Sequence, residues 1–164
     1  MDGLWLECGP FRLQPGKNGK AWSKIALSPH SWHKAPAYTL YIDQPVGTGL
    51  VFTTSGQYPK NDEELNRDFY YFLTQFMTLH ADKFLTIKEE DTTAVVRRPF
   101  YFSGESHAGH YIPSMMNYIR KQNEAILSHP DRYQEPPQQP VIIPLSGALI
   151  GNGYVVAWRD GGIV

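Results

Sequence analysis

The stretch PFYFSGESHAGHYIP, Pro99 to Pro113, is the most informative part of this chain. Its aromatic beginning, Phe100 to Ser103, predicts a β-strand. Apolar side chains recur at helical spacing from Ser106 onward and predict a helix. The pattern Gly-x-Ser-x-Gly lies between the two elements, and its glycines leave room for a tight turn. A serine on such a turn holds its hydroxyl out of the fold, so the sequence predicts an exposed Ser106.

Ser106 is therefore predicted to be a catalytic nucleophile. A strand that ends in Gly-x-Ser-x-Gly and turns directly into a helix is the nucleophile elbow of α/β-hydrolases. In that elbow the backbone N–H of the following residue, here His107, is a donor of the oxyanion hole. The alternative is a serine that caps an ordinary helix. We do not expect His107 or His110 to be the base, because side chains so close to the nucleophile point elsewhere.

The rest of the sequence alternates between strands and helices. Ala37 to Asp43 is apolar and β-branched, which predicts a buried parallel strand. Asn61 and Glu64 predict a capping box at the start of a helix that ends near His80. Ser146 to Ile150 predicts a third strand. This order indicates βαβ units in a mostly parallel sheet. The first helix is expected to bury Leu65, Phe69, Phe72, Leu73, Phe76 and Leu79, and the second Tyr111, Met115, Tyr118 and Ile119.

Other segments carry weaker patterns. The sequence up to about Pro36 predicts short strands and loops. Asp82 to Arg98 is polar and predicts a surface connection, and His129 to Pro140 is a proline-rich excursion without periodicity. Pro113 fits the second helix only near its first turn or at a kink.

Composition limits the classes of function. The chain has 164 residues and a net charge of −1, which fits one domain and gives no reason to expect nucleic acid or an anionic membrane as partner. No apolar run is long enough for a membrane span, and the N-terminus lacks the pattern of a signal peptide. Cys8 is the only cysteine, so no internal disulfide is possible. His30 and His33 lack a third ligand nearby, so no metal site is predicted.

Four segments together resemble the serine carboxypeptidase family of the carboxypeptidase Y type. In family order they are LECGPF at Leu6–Phe11, LYIDQPVGTG at Leu40–Gly49, GESHAGHYIP at Gly104–Pro113 and IGNG at Ile150–Gly153. The family has tyrosine more often than histidine directly after the serine. The resemblance covers residues 1–153, a partial family domain, and leaves residues 154–164 as an atypical tail.

The resemblance implies an α/β-hydrolase fold with a mostly parallel central sheet, incomplete at both ends. It implies release of C-terminal residues from peptides and proteins through an acyl-enzyme on Ser106. Glu7 and Glu105 are then the acids that recognise the substrate's free carboxylate. Two carboxyl groups held close share a proton, and the protonated group donates a hydrogen bond to that carboxylate. Substrate affinity is therefore expected to weaken as pH rises. No cofactor is implied, and the implied compartment is vacuolar, lysosomal or secreted.

Two family features have no counterpart in this sequence. The glycine-rich motif that supplies the second oxyanion donor would precede Met1, and the triad Asp and His would follow Gly153. A chain without them is expected to be inactive by itself, because loss of triad members costs several orders of magnitude in rate. Two alternatives stay open: an acyltransferase or esterase on the same scaffold, against which Glu7 and Glu105 argue, and a non-catalytic pseudoenzyme fragment that binds a partner.

Overall fold

The computed structural model describes residues 3–16, 22–87, 93–129, 140–155, 158–159 and 162–163. The chain forms two compact units, Met1–Tyr58 and Pro59–Val164. The predicted boundary between a domain ending at residue 153 and a tail from residue 154 stays a prediction. The proline-rich residues 130–139 lie outside the described residues.

The first unit is built from short elements. A π-helical turn at Gly3–Glu7 precedes strand β1, Phe11–Pro15, which pairs antiparallel with β2, Trp22–Leu27. A 3₁₀ turn follows at Trp32–Lys34. Short strands and loops were predicted for this part of the sequence, and that prediction is confirmed.

The prediction of a strand at Ala37–Asp43 is wrong. The segment has no regular secondary structure, and Tyr38 and Leu40 are 63% and 45% exposed. A strand needs a neighbour that satisfies its backbone N–H and C=O groups. No strand among the described residues pairs with this segment. Its apolar composition alone therefore does not produce the hydrogen bonds between strands that define a β-sheet.

The described residues of the second unit form three helices: α1 at Asp62–Leu79, α2 at Ala81–Phe84 and α3 at Ala108–Ser128. Its strands are β3 (Leu85–Ile87), β4 (Ala94–Val96), β5 (Phe100–Glu105), β6 (Val141–Ile142), β7 (Leu145–Gly151), β8 (Trp158–Arg159) and β9 (Gly162–Ile163). β4 pairs with β3 antiparallel and with β6 parallel, and β8 pairs with β9 antiparallel. β5 and β7 form a parallel pair with α3 between them in sequence, so the predicted βαβ unit around the elbow is confirmed.

Helix α1 begins as its sequence predicts. Asn61 Oδ1 accepts a hydrogen bond from the Glu64 N–H at 2.9 Å, and Glu64 Oε2 accepts one from the Lys60 N–H at 3.0 Å. The buried face differs in part from the prediction, since Phe72 and Leu79 are 41% and 78% exposed. The side chains buried instead include Tyr70 and Met77. The apolar stripe of α1 is wider than one face, so its neighbours α3 and β5 select which residues are buried.

The core of the second unit lies between α1, α3 and the strands. It contains Leu65, Phe69, Tyr70, Leu73, Met77, Leu85, Ala94, Val96, Phe102, Ile112, Met115, Ile119, Ile126, Val141 and Ile143. Phe69 of α1 meets Phe102 of β5 with ring centroids 5.8 Å apart, and Tyr70 meets Tyr118 of α3 at 5.9 Å. The core therefore connects α1 to both elements that flank the elbow.

The described part of Asp82–Arg98, residues 82–87 and 93–98, is not the surface connection that its polarity predicts, and residues 88–92 lie outside the described residues. This part contains most of α2 together with β3 and β4, and it buries Leu85, Ala94 and Val96. Three-residue strands are too short for alternation to stand out from a polar background. Pairing between strands, which is not visible in the local sequence, creates these elements.

Helix α3 runs for 21 residues and includes Pro113 in its interior. Proline has no N–H to donate to the carbonyl four residues earlier, which here belongs to Gly109. Asn123 fixes the helix to the segment between β6 and β7: its Nδ2 donates to the Ile143 carbonyl at 2.8 Å, and its Oδ1 accepts from the Ile143 N–H at 3.1 Å. Tyr111 and Tyr118, expected on the buried face, are only partly buried.

Candidate active site

Ser106 lies at the turn between β5 and α3, as predicted. Its φ is +56°, in the left-handed region that residues other than glycine rarely adopt. The residue is exposed, and its backbone N–H donates to the Gly151 carbonyl at 3.0 Å. The helix N-cap is His107, without a side-chain cap, so Ser106 is not a conventional capping serine. The turn therefore holds the Ser106 hydroxyl out at the end of β5.

Gly104 and Gly109 of the motif are glycines because neighbouring atoms leave no room for a side chain at either position. A Cβ on Gly104 would lie 2.5 Å from the Ala108 Cβ and 3.1 Å from the Ile112 Cδ1. A Cβ on Gly109 would lie 2.7 Å from the Gly153 Cα. Any side chain at either position would push α3 away from the ends of β5 and β7, so the tight elbow requires both glycines.

The backbone N–H and the imidazole ring of His107 have different surroundings. Its backbone N–H has no hydrogen-bond partner among the described residues. Its imidazole packs edge-on against Tyr111, with ring centroids 4.6 Å apart, and stacks on Tyr154 at 5.8 Å with an 18° interplanar angle. The N–H is therefore available to a ligand, while the ring is engaged in aromatic contacts.

His110 is engaged elsewhere. Its Nε2 lies 3.0 Å from Asp62 Oδ2, in a half-exposed pair that joins the first turns of α3 and α1. Within the part of the chain that the structure describes, no side chain forms a hydrogen bond with Ser106 Oγ. The described residues thus present the serine without a base bound to it.

The two acids assigned to carboxylate recognition lie in different units. Glu105 is the last residue of β5, directly before Ser106, and is exposed opposite Gly151 of β7. Glu7 ends the π-helical turn of the first unit and is also exposed. Ser106, His107 and Glu105 are therefore consecutive at one elbow, and Glu7 belongs to a separate loop.

The Glu7 loop is held through the carbonyl of Cys8. This oxygen accepts hydrogen bonds from Ser31 Oγ at 3.0 Å, the Trp32 N–H at 2.9 Å and the Tyr41 hydroxyl at 3.0 Å. Burial, followed by the nearby Cys8 thiol, raises the pKa of Tyr41 above its ordinary value. Its hydroxyl therefore stays a donor, and three donors from two distant segments, Ser31–Trp32 and Tyr41, fix the residue next to Glu7.

The Asp-x-Pro-x-Gly-x-Gly segment forms a compact loop. The Leu50 N–H donates to Asp43 Oδ2 at 3.0 Å, and this hydrogen bond lowers the pKa of the Asp43 carboxyl below its ordinary value. Gly47 and Gly49 have φ values of +99° and +56°. These left-handed positions explain why glycine occupies both sites.

The sequence did not reveal one part of the site, the turn from Gly151 to Tyr154 after β7. The Tyr154 N–H donates to the Ser106 carbonyl at 2.7 Å, and Asn152 has a φ of +45°. The Gly-Asn-Gly pattern indicated a turn, but nothing in it pointed to a contact with the elbow.

Among the described residues, no helix is long and apolar enough to cross a membrane. The same residues contain no group of three or more His, Cys, Asp or Glu side chains that could hold a metal ion.

Known proteins resemble this chain over almost its whole length. The serine carboxypeptidase family model matches residues 1–160. A pheromone-processing carboxypeptidase KEX1 from Phytophthora infestans and serine carboxypeptidase S10 family member 2 from Dictyostelium discoideum are each 37% identical over 155 residues. Each match covers 94% of this chain but only 22% and 23% of those proteins.

A solved structure gives the same result. The crystal structure of KEX1(delta)p, a prohormone-processing carboxypeptidase from Saccharomyces cerevisiae, matches with a TM-score of 0.58 and 29% identity. The match covers 98% of this chain and 28% of that one, so the chain spans about a quarter of the length of the relatives it matches. This match confirms the predicted α/β-hydrolase fold class. The chain belongs to the serine carboxypeptidase family.

Proposed function

We propose that this chain provides the nucleophile, Ser106, of a serine carboxypeptidase that releases C-terminal residues from peptides. The observation that carries the proposal is the exposed Ser106 at φ +56°, between a parallel strand and a helix. Residues with backbone strain of this kind cluster at functional sites, where the surrounding structure holds them and the strain has a use. At an α/β-hydrolase elbow, that use is to present a nucleophilic hydroxyl.

The reaction has two steps. Ser106 Oγ attacks the carbonyl carbon of the last peptide bond and loses its proton to a general base, and the oxyanion accepts a hydrogen bond from the His107 N–H. The C–N bond then breaks, and the terminal residue leaves as a free amine after taking up that proton. Water hydrolyses the ester, which releases the shortened peptide and restores the serine. The base is assigned to no described residue, because none bonds to Ser106 Oγ.

Glu105 and Glu7 are the proposed recognition groups for the substrate's free carboxylate. Glu105 is exposed next to Ser106, which suits a group that binds beside the scissile bond. A protonated carboxyl donates to the substrate carboxylate, whereas an ionised one repels it. In an intact enzyme where the two carboxyl groups share a proton, kcat/KM is expected to fall as pH rises and that proton is lost. A profile that stays flat through neutrality would contradict this role.

The relatives support a peptide substrate, since two of them are named for processing pheromones and prohormones. We propose for this protein the vacuolar, lysosomal or secreted compartment that the family resemblance implies. Neither nucleic acid nor a metal cofactor has a part in the proposed chemistry.

The proposal is tested in a chimera. The matching 155 residues of the Dictyostelium discoideum relative are replaced by the corresponding part of this chain, and release of C-terminal residues from N-blocked dipeptides is measured. We expect release that depends on Ser106 and is lost by several orders of magnitude in Ser106→Ala. The isolated 164-residue chain is expected to be inactive, because its described residues provide no base to Ser106.

The same chimera separates the alternatives. Acyl transfer from an activated ester without release from dipeptides would indicate an acyltransferase or esterase. A chimera that melts like the parent enzyme yet neither hydrolyses nor transfers would indicate a non-catalytic chain. Release that survives in Ser106→Ala would assign the chemistry to another residue.

A further inference from the structure

The peptide unit between Ser106 and His107 is held from one side. The Ser106 carbonyl accepts two hydrogen bonds, from the Tyr154 N–H at 2.7 Å and from the Gly109 N–H at 3.0 Å. The second is the ordinary first turn of a helix, which any residue at position 109 with an N–H would provide. The bond from Tyr154 comes from beyond β7, more than forty residues later in the chain.

The direction of the His107 N–H follows from these two bonds. In a planar trans peptide the C=O and the N–H point in opposite directions. When the Ser106 carbonyl is fixed on Tyr154 and Gly109, the His107 N–H is fixed on the opposite side. A carbonyl that accepts two hydrogen bonds also polarises its own peptide group, which makes that N–H a stronger donor.

We infer that Tyr154 is a positioning residue for the oxyanion donor, and that it acts through its backbone N–H. This inference rests on the proposed function, in which the His107 N–H receives the oxyanion. Electrostatic catalysis requires donors that are already oriented before charge develops. The bond from Tyr154 supplies that orientation from beyond the end of β7.

The turn that carries Tyr154 is fixed by close packing. A Cβ on Gly109 would lie 2.8 Å from the Tyr154 nitrogen and from the Gly153 carbonyl carbon. A Cβ on Gly153 would lie 2.6 Å from the Ile150 Cγ2. The first turn of α3 therefore rests directly on the backbone of the Gly151–Tyr154 turn, and neither can move without the other.

A second contact also reaches the elbow from Tyr154. Its ring stacks on the His107 imidazole, while its N–H holds the Ser106 carbonyl. These two contributions separate cleanly by substitution. Tyr154→Ala removes the ring and keeps the N–H, whereas Tyr154→Pro removes both.

The test uses the isotope-labelled 164-residue chain in solution. In the wild type, NMR is expected to detect a scalar coupling across the hydrogen bond from the Tyr154 amide to the Ser106 carbonyl. Gly109→Ala is the main variant, because its new methyl group must displace the Tyr154 nitrogen. We expect exchange of the Tyr154 amide to become about tenfold faster, with a shift of the His107 amide and the Ser106 carbonyl resonances.

Gly147→Ala is the matched control: Gly147 lies in β7, before the Gly151–Tyr154 turn, and its Cβ would lie 3.4 Å from the ring of Tyr101 on the paired strand β5. It should change Tyr154 exchange by less than about twofold and leave the His107 amide in place. Tyr154→Ala should preserve the coupling, and Tyr154→Pro should shift the His107 amide as Gly109→Ala does. A purely structural role for the turn would lower the melting temperature without moving the His107 amide.

Two results would overturn the inference: no coupling from Tyr154 to Ser106 in the wild type, or an unmoved His107 amide in both Gly109→Ala and Tyr154→Pro. These readouts need no catalysis. An unreactive Ser106 with an intact coupling would count against the proposed function alone. A reactive Ser106 without the coupling would count against the role of Tyr154 alone.

Discussion

Replacing Ser106 by alanine and by glycine measures the backbone strain at the elbow. Both substitutions remove the hydroxyl, so the comparison between them isolates the effect of the Cβ at a φ value of +56°. Alanine retains the clash between Cβ and the backbone that disfavours the left-handed region, whereas glycine has no Cβ. Glycine at position 106 should therefore give the more stable protein of the two.

The size of this effect follows from two opposing contributions. The left-handed conformation costs a residue with a Cβ about 1–2 kcal/mol. Glycine loses about 0.5–1 kcal/mol because it orders a more flexible unfolded backbone. The net advantage of Ser106→Gly over Ser106→Ala is then about 0.5–1 kcal/mol, which raises Tm by about 2 °C for a chain of this size.

Ser103 provides the matched control, because it is an exposed serine in the extended backbone of β5, the strand that ends directly before Ser106. There Ser103→Gly should be less stable than Ser103→Ala by about 0.5–1 kcal/mol, so the order of glycine and alanine reverses. Thermal unfolding of the four variants measures both differences. If Ser106→Gly is also less stable than Ser106→Ala, the elbow does not hold the left-handed conformation and the reasoning fails.

Three further predictions concern the packing around the elbow and the Asp43 loop. Asn123→Ala removes two hydrogen bonds to partly buried backbone and should cost about 2 kcal/mol in urea unfolding; an unchanged midpoint would contradict the role of this side chain. Ile119→Ala empties a fully buried position and should cost about 2–5 kcal/mol, whereas Leu79→Ala, at a residue 78% exposed, should stay within about 0.5 kcal/mol. The Asp43 carboxyl has a lowered pKa, so its bond to Leu50 is present above its ordinary pKa and is lost as pH falls through the folded-state value. The Leu50 amide should therefore lose exchange protection at acid pH in the wild type, while in Asp43→Asn its protection should not vary with pH.

The elbow was predictable from the sequence because its determinants are local. The strand before Ser106, the helix after it and the two glycines all lie within a few residues, and the cap at Asn61 is local in the same way. Each is confirmed by the structure. The order of strand, helix and strand then determines the parallel pairing of β5 with β7.

The rest of the site depends on contacts between distant segments. Nothing near Tyr154 in the sequence indicates that its N–H donates to the Ser106 carbonyl. Likewise, nothing near Cys8 indicates that its carbonyl accepts three hydrogen bonds. The same cause accounts for the wrong strand at Ala37–Asp43, where an apolar pattern finds no partner among the described strands. Local patterns do not reveal which segments meet, since pairing depends on the whole fold.

The most direct measurement of the proposed nucleophile is intact-mass analysis after treatment with a fluorophosphonate, which forms a covalent bond with activated serines. It is made on the chimera with the Dictyostelium discoideum relative, in the wild-type and Ser106→Ala forms. A nucleophilic Ser106 predicts one adduct per molecule on the peptide that contains it, and no adduct in Ser106→Ala. An adduct on another residue, or one that persists in Ser106→Ala, would contradict it.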